Sequence, residues 1–140
     1  MLKLIRARKN GEKGQALVEF TLLVPIFLVL LFAIIDFGMG FYSWISVTNG
    51  AREGARLGAV LATQTQIEDR VYQTVNLPNE GTKMTVTVTN AQGQPGESVV
   101  VEVDYDYDLI TPLAGIVSFT SGNVIGPTLT FSSTAEMRLE

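Results

Sequence analysis

Between Ala16 and Ile35 the chain runs for twenty residues with a single charge, Glu19, and otherwise almost entirely aliphatic and aromatic side chains. As a helix rising about 1.5 Å per residue, this run is roughly 30 Å long, the thickness of the hydrocarbon core of a bilayer. The run therefore predicts a membrane span. Pro25 in its centre is better tolerated in a membrane helix than in a soluble one, and predicts a kink. A cleaved secretory signal is the natural rival, but its apolar centre is usually about 7–15 residues and ends at a small-x-small site. Here Phe37, Met39, Phe41, Tyr42 and Trp44 follow instead, the composition of an interfacial aromatic belt.

Charge sets the orientation. Residues 1–13 hold Lys3, Arg6, Arg8, Lys9 and Lys13 against Glu12, a leader of +4 in a chain of formal charge -4, so the remainder stands at -8. A basic amino terminus before an apolar span predicts a cytoplasmic start and an exported carboxyl-terminal part, in the cytoplasmic (inner) membrane as a single pass. The one basic cluster is spent on topology, which removes nucleic acid as an expected partner. The 140 residues contain neither Cys nor His. No disulfide can support the exported part, and histidine general bases, thiol nucleophiles and ordinary zinc sites are excluded. We expect no enzyme and no cofactor.

Glu19 is the anomaly. Either it lies close enough to the cytoplasmic interface to reach water, or, as an ionisable group within a span, it needs a partner that is part of the chain's function. If the chain were cut after Gly14, Gln15 would become the first residue and Glu19 the fifth, behind a basic leader and a glycine. That arrangement resembles the type IV prepilin cleavage site. More narrowly, "GQALVEFTLLVPIF" followed by "DFGMGFYSWISVTNGAREGARLGAV", with the closing "TLTFSSTAEMRLE", resembles the TadE-like family, pseudopilins of tight-adherence pilus systems. Gly14, Glu19, Phe20, Pro25, Asp36, Gly38 and "AREGAR" carry the likeness. The resemblance implies processing by prepilin peptidase between Gly14 and Gln15, and an assembly role for Glu19, with Phe20 beside it. It further implies other pilin or pseudopilin subunits, the inner-membrane assembly platform and membrane lipid as partners. In that superfamily the fifth-position glutamate pairs with the new amino terminus of a neighbouring subunit. Two opposite charges in a low-dielectric setting are each costly alone and attract strongly together.

Past the aromatic belt, Gly50, Gly54 and Gly58 recur every four residues with Ala51, Ala55 and Ala59 beside them. On a helix they make one small-residue ridge. Each glycine costs about 1 kcal/mol of helix propensity relative to alanine, so the ridge predicts close approach of another backbone. The pattern leaves open whether this is the chain's own sheet or a second subunit. Arg52, Glu53 and Arg56 fall on the other side and predict an exposed i,i+3 ion pair. Ile67, Val71 and Val75 extend the helical period to about residue 75, with Asn49–Gly50 the expected point of any break, before Pro78 and Gly81 end it. A helix from 16 to 75 would be roughly 90 Å long.

From Met84 the period changes to two. "MTVTVT", Val99–Leu109 and Leu129–Leu139 each alternate apolar with polar residues, predicting three antiparallel strands with one covered face. "SFTSGN" is a candidate short fourth strand, and Leu109–Val117 reads as a loop folded over the sheet, or as a docking patch if exposed. Asp104, Asp106 and Asp108 alternate like the opening of an EF-hand loop, but Leu109 stands where that loop needs glycine and Gly115 where it needs glutamate. They predict a solvated strand face, with a weak cation site as the lesser reading.

These readings give an α+β, pilin-like architecture. It comprises a leader (1–14), a transmembrane helix (15–36), a helical stem (37–75) and an antiparallel sheet domain (76–140). The rival to a pilus subunit is an uncleaved, membrane-anchored binding module using the acidic sheet.

Overall fold

A computed structural model describes residues 2–122 and 126–139, with side chains described from Gly14 onward. One helix dominates: α1 runs from Leu2 to Gly58 and continues through Pro25. It is followed by α2 (Gln64–Thr74), a single turn α3 (Glu80–Lys83), β1 (Met84–Thr89), β2 (Ser98–Asp108), α4 (Leu113–Thr120) and β3 (Thr128–Arg138). The three strands form an antiparallel meander in the order β1-β2-β3. The fold is α+β, a long amino-terminal apolar helix with a small antiparallel sheet packed against its carboxyl-terminal half.

The helical stem departs from the expected continuous rod. Asn49 and Gly50 are helical, and the break comes later, at residues 59–63, where Leu61 takes a left-handed conformation (φ 62°) and donates its N–H to the Gly58 carbonyl at 3.0 Å. Thr63 then opens α2 with a capping box: its hydroxyl accepts from the Gln66 N–H, and the Gln66 side chain accepts from the Thr63 N–H at 3.0 Å. These two reciprocal bonds satisfy donors that a helix start leaves unpaired. The chain thereby reverses, and α2 returns along α1, with Ile67 beside Gly58 and Val75 beside Gly50.

The strands follow the expected alternation. Along β2, Val99, Val101, Val103, Tyr105 and Tyr107 are buried while Glu102, Asp106 and Asp108 are exposed. Met84 pairs with Tyr105 at one edge and Phe131 with Tyr105 at the other, which places their side chains on the covered face. The core lies between this face, α2 and the upper half of α1, and consists mainly of valine, isoleucine and alanine. Gly58 lies against Val99, Gly54 against Val101 and Gly40 against Tyr107, so β2 runs antiparallel to α1. Eighteen helical residues cover about 27 Å and eight strand residues about 26 Å, so the two elements stay in step along their shared length.

The segment expected as a loop and then a fourth strand is instead α4. Pro112 occupies its N-cap, and Ser118, Phe119 and Thr120 complete its last turn. Proline is accepted at a helix start because its missing N–H has no intrahelical partner there. Asn123, the last residue of the "SFTSGN" stretch, lies outside the described residues.

Candidate functional site

Three sets of residues along α1 carry the chemistry worth weighing. The lowest is the segment from Gly14 to Phe20. Here the helix stands free of the rest of the chain, with Phe20 exposed and nothing within 4 Å of the position a Cβ on Gly14 would take. Gln15 and Glu19 are one turn apart, and the Gln15 amide donates to Glu19 Oε1 at 3.0 Å. The geometry brings the residue after Gly14 and the lone carboxyl of the span to the same point on the helix surface.

The middle set is centred on Asp36, the first charge beyond the apolar run. Its side chain is buried, with residue exposure of 2%. Oδ1 accepts from the backbone N–H groups of Ile110 (3.0 Å) and Thr111 (3.2 Å), and Oδ2 accepts from the Thr111 hydroxyl. The Tyr107 hydroxyl donates to the Asp36 carbonyl at 3.2 Å. Buried polar groups need such partners, and here four bonds tie the helix at its exit from the apolar run to the turn that follows β2. The sequence had marked Asp36 only as part of a family likeness. Its partners are 74 and 75 residues away, a separation that no local pattern encodes.

Above it, the buried side of α1 comprises Gly40, Ser43, Val47, Gly50, Ala51, Gly54, Ala55 and Gly58, with Asp36 at its foot. Apart from Asp36 and Val47, every residue in this stripe is glycine, alanine or serine. Ser43 satisfies its hydroxyl by donating to the Met39 carbonyl at 3.0 Å. A Cβ at Gly50 would come within 2.4 Å of Val75 Cγ2, at Gly54 within 2.7 Å of Val71 Cγ2, and at Gly58 within 2.9 Å of Val99 Cγ2. The close approach that the glycine ridge requires is made here by α2 and β2 of the same chain.

On the flank of the ridge, Glu53 is bound by two arginines. Arg56 contributes a two-nitrogen contact at 2.7 and 2.9 Å, and Arg70 of α2 adds a second pairing across the hairpin. Hydrogen bonds from Arg56 and then Arg70 hold the Glu53 carboxyl at about 2, well below its usual 4.5. The expected i,i+3 pair is thus part of a three-residue link between α1 and α2.

The acidic strand is engaged by its neighbours. Asp106 accepts from the Thr130 hydroxyl at 2.7 Å, and Asp108 accepts from Thr128 at 2.6 Å and pairs with Lys83. The Lys83 ammonium, then Thr128, lowers the Asp108 pKa. Asp104 lies on the same outward face, opposite Thr85 and Ser132. Among the described residues, no three acidic groups converge in a way that could hold a metal ion.

The free lower helix, at 0% burial over its most apolar window, is long and apolar enough to cross a membrane and fits a single-pass anchor. No curated protein and no solved structure matches the chain. The family model described as TadE-like protein matches residues 14–56, from Gly14 to Arg56, taking in Gly50 and Gly54 of the ridge but not Gly58. The helix that both fits a membrane anchor and backs the sheet is thus similar, over less than a third of the chain, to the TadE-like protein family.

Proposed function

We propose that the chain is a structural subunit of a tight-adherence pilus, a minor pilin or pseudopilin. In this reading prepilin peptidase removes the leader after Gly14, and Glu19 then recruits the chain into an assembly. The observation that carries it is the placement of Glu19. It lies one turn from Gln15 on a bare apolar helix, where the described residues of its own chain offer only the Gln15 amide. Cutting after Gly14 converts Gln15 into a residue bearing an ammonium. A carboxyl and an ammonium of two subunits, both in an apolar surrounding, then satisfy each other where each alone is costly. The partners in this reading are other pilin or pseudopilin subunits, the peptidase and the inner-membrane assembly platform.

Amino-terminal sequencing of the protein from native membranes and from sheared surface material tests the processing step. Gln15 as first residue is the expected result, and Met1 in both fractions would overturn it. For assembly, Glu19→Ala is expected to leave membrane insertion and the sheet's thermal unfolding unchanged while abolishing pili seen by electron microscopy. Normal piliation in that variant removes Glu19 from the mechanism.

A further inference from the structure

The end of the domain nearest the apolar run carries a surface that its own packing leaves uncovered. α4 turns Leu113 and Val117 toward a groove of about 370 Å³ shared with Phe37, Phe41 and Phe131. Its other side points away from the protein: Ile116 is 42% and Phe119 89% exposed, and Ile110 just before the helix is 61% exposed. From Leu109 to Gly122 there is no charged residue. Three large apolar side chains clustered on an uncharged segment call for an explanation that a single exposed leucine would not.

The height of this segment supplies one. Headgroup regions extend a bilayer from about 30 Å of hydrocarbon to about 40–45 Å, or roughly 5–8 Å on each side. At 1.5 Å per residue that zone takes up about three to five residues of a helix lying along the normal. Counted from Ile35, the end of the apolar run, it covers approximately residues 36–40. Asp36 holds Ile110 and Thr111 through its side chain, so the entry to α4 is fixed at that level. Phe37 and Phe41, exposed on α1, make the groove continuous with the lipid-facing surface of the span.

We propose that α4 and the turn before it form a second membrane contact. The helix lies in the interfacial plane, with Ile110, Ile116 and Phe119 inserted among lipid acyl chains near the headgroups. This rests on the reading that α1 spans a bilayer. The occupant is lipid, engaged through apolar insertion, since the nearest charges on the sheet, Asp106 and Asp108, do not attract anionic headgroups. The consequence is a domain held to the membrane at two points, which fixes its tilt as well as its distance.

The absence of cysteine makes the test direct. The full chain, reconstituted in phosphatidylcholine vesicles, is spin-labelled singly at Phe119→Cys, Ile116→Cys, Leu28→Cys in the span and Thr87→Cys on the outward face of β1. Collision with oxygen, relative to collision with a water-soluble nickel complex, reads depth. The ratio is expected to be several-fold higher at 119 and 116 than at 87, and highest at 28. A ratio at 119 equal to that at 87, with 28 still deep, overturns the proposal while leaving the span intact. A water-exposed label at 28 removes the span and the proposal together. A label at 119 screened from both agents means that protein covers α4, as a second copy would, and also overturns it.

Discussion

The two halves of α1 belong to one uninterrupted helix yet are built on opposite rules. Below Asp36 the side chains are large and point outward on every side, with Leu17, Phe20, Leu22, Phe27 and Ile34 among the exposed residues. Above it the buried stripe shrinks to glycine, alanine and serine with Val47, and the helix is clasped by α2 and β2. The lower half offers a smooth apolar cylinder that lipid or another helix can cover without fixed register. The upper half forms notches that accept only its own valines. One element therefore serves two solvents, and Asp36 marks the boundary.

Breaking the boundary is expected to have the largest effect. Asp36→Ala removes the acceptor for two backbone N–H groups and one hydroxyl; at about 1 kcal/mol per lost bond, the sheet domain should lose roughly 3 kcal/mol. Thermal unfolding of the full chain in detergent, followed by the near-ultraviolet signal of the tyrosines, checks this. Asp36→Asn, which keeps an oxygen for Ile110 and Thr111, should lose about half as much. Equal melting of all three proteins would mean that the anchor contributes no stability.

The contrast between the halves sharpens into a difference of sign at two glycines. At Gly54 a methyl group meets Val71 and Val101, both branched and stiff, and overpacking of about 1–3 kcal/mol outweighs a propensity gain near 1. Gly54→Ala should destabilise by roughly 1 kcal/mol or more. At Gly38 nothing lies within 4 Å, so Gly38→Ala should be neutral or stabilising by up to about 1 kcal/mol. The same melting assay decides, and stabilisation by both changes would remove the idea that the ridge is a notch.

The smallest expected effect is at Glu53. Its carboxyl is held at about 2 in the folded protein against a usual 4.5, so its contribution is complete above the unfolded value and fades as pH falls toward 2. Glu53→Gln should lower the melting temperature slightly near neutrality, and the gap from the unaltered chain should close on acidification. A gap that widens as pH falls contradicts the pairing with Arg56 and Arg70.

Much of this architecture was legible in the sequence, for identifiable reasons. The span and the three strands announce themselves through local composition and period, and Val99 to Tyr107 alternate so regularly that the buried face could be named residue by residue. The glycine ridge is legible as a need for close approach, though not its occupant, because a second subunit would satisfy that need as well as the chain's own sheet. The reversal after Gly58 was missed because Ile67, Val71 and Val75 keep a helical period whether α2 continues α1 or folds back on it. The available cue was Thr63-x-x-Gln66, a capping box inside an otherwise polar stretch. α4 lies in a short segment whose Pro112 and Gly115 suggest a loop, yet Pro112 occupies the N-cap, where a helix accepts it. The anchor at Asp36 joins residues more than seventy positions apart, and no local pattern encodes such a contact.

The step between α1 and β2 has one more consequence. Four residues of helix advance about 6 Å and two residues of strand nearly 7 Å, so Gly58 meets Val99 and Gly54 meets Val101. The pair works as a ruler with a coarse graduation. Deleting four residues between Gly40 and Gly54 would shorten the helix by about 6 Å against a strand of unchanged length, so Gly40 and Gly54 could no longer meet Tyr107 and Val101 together. The length of α1 from Asp36 to Gly58 is thus set by the strand it backs, and the sheet's distance from the apolar run can change only if helix and strand are lengthened or shortened together.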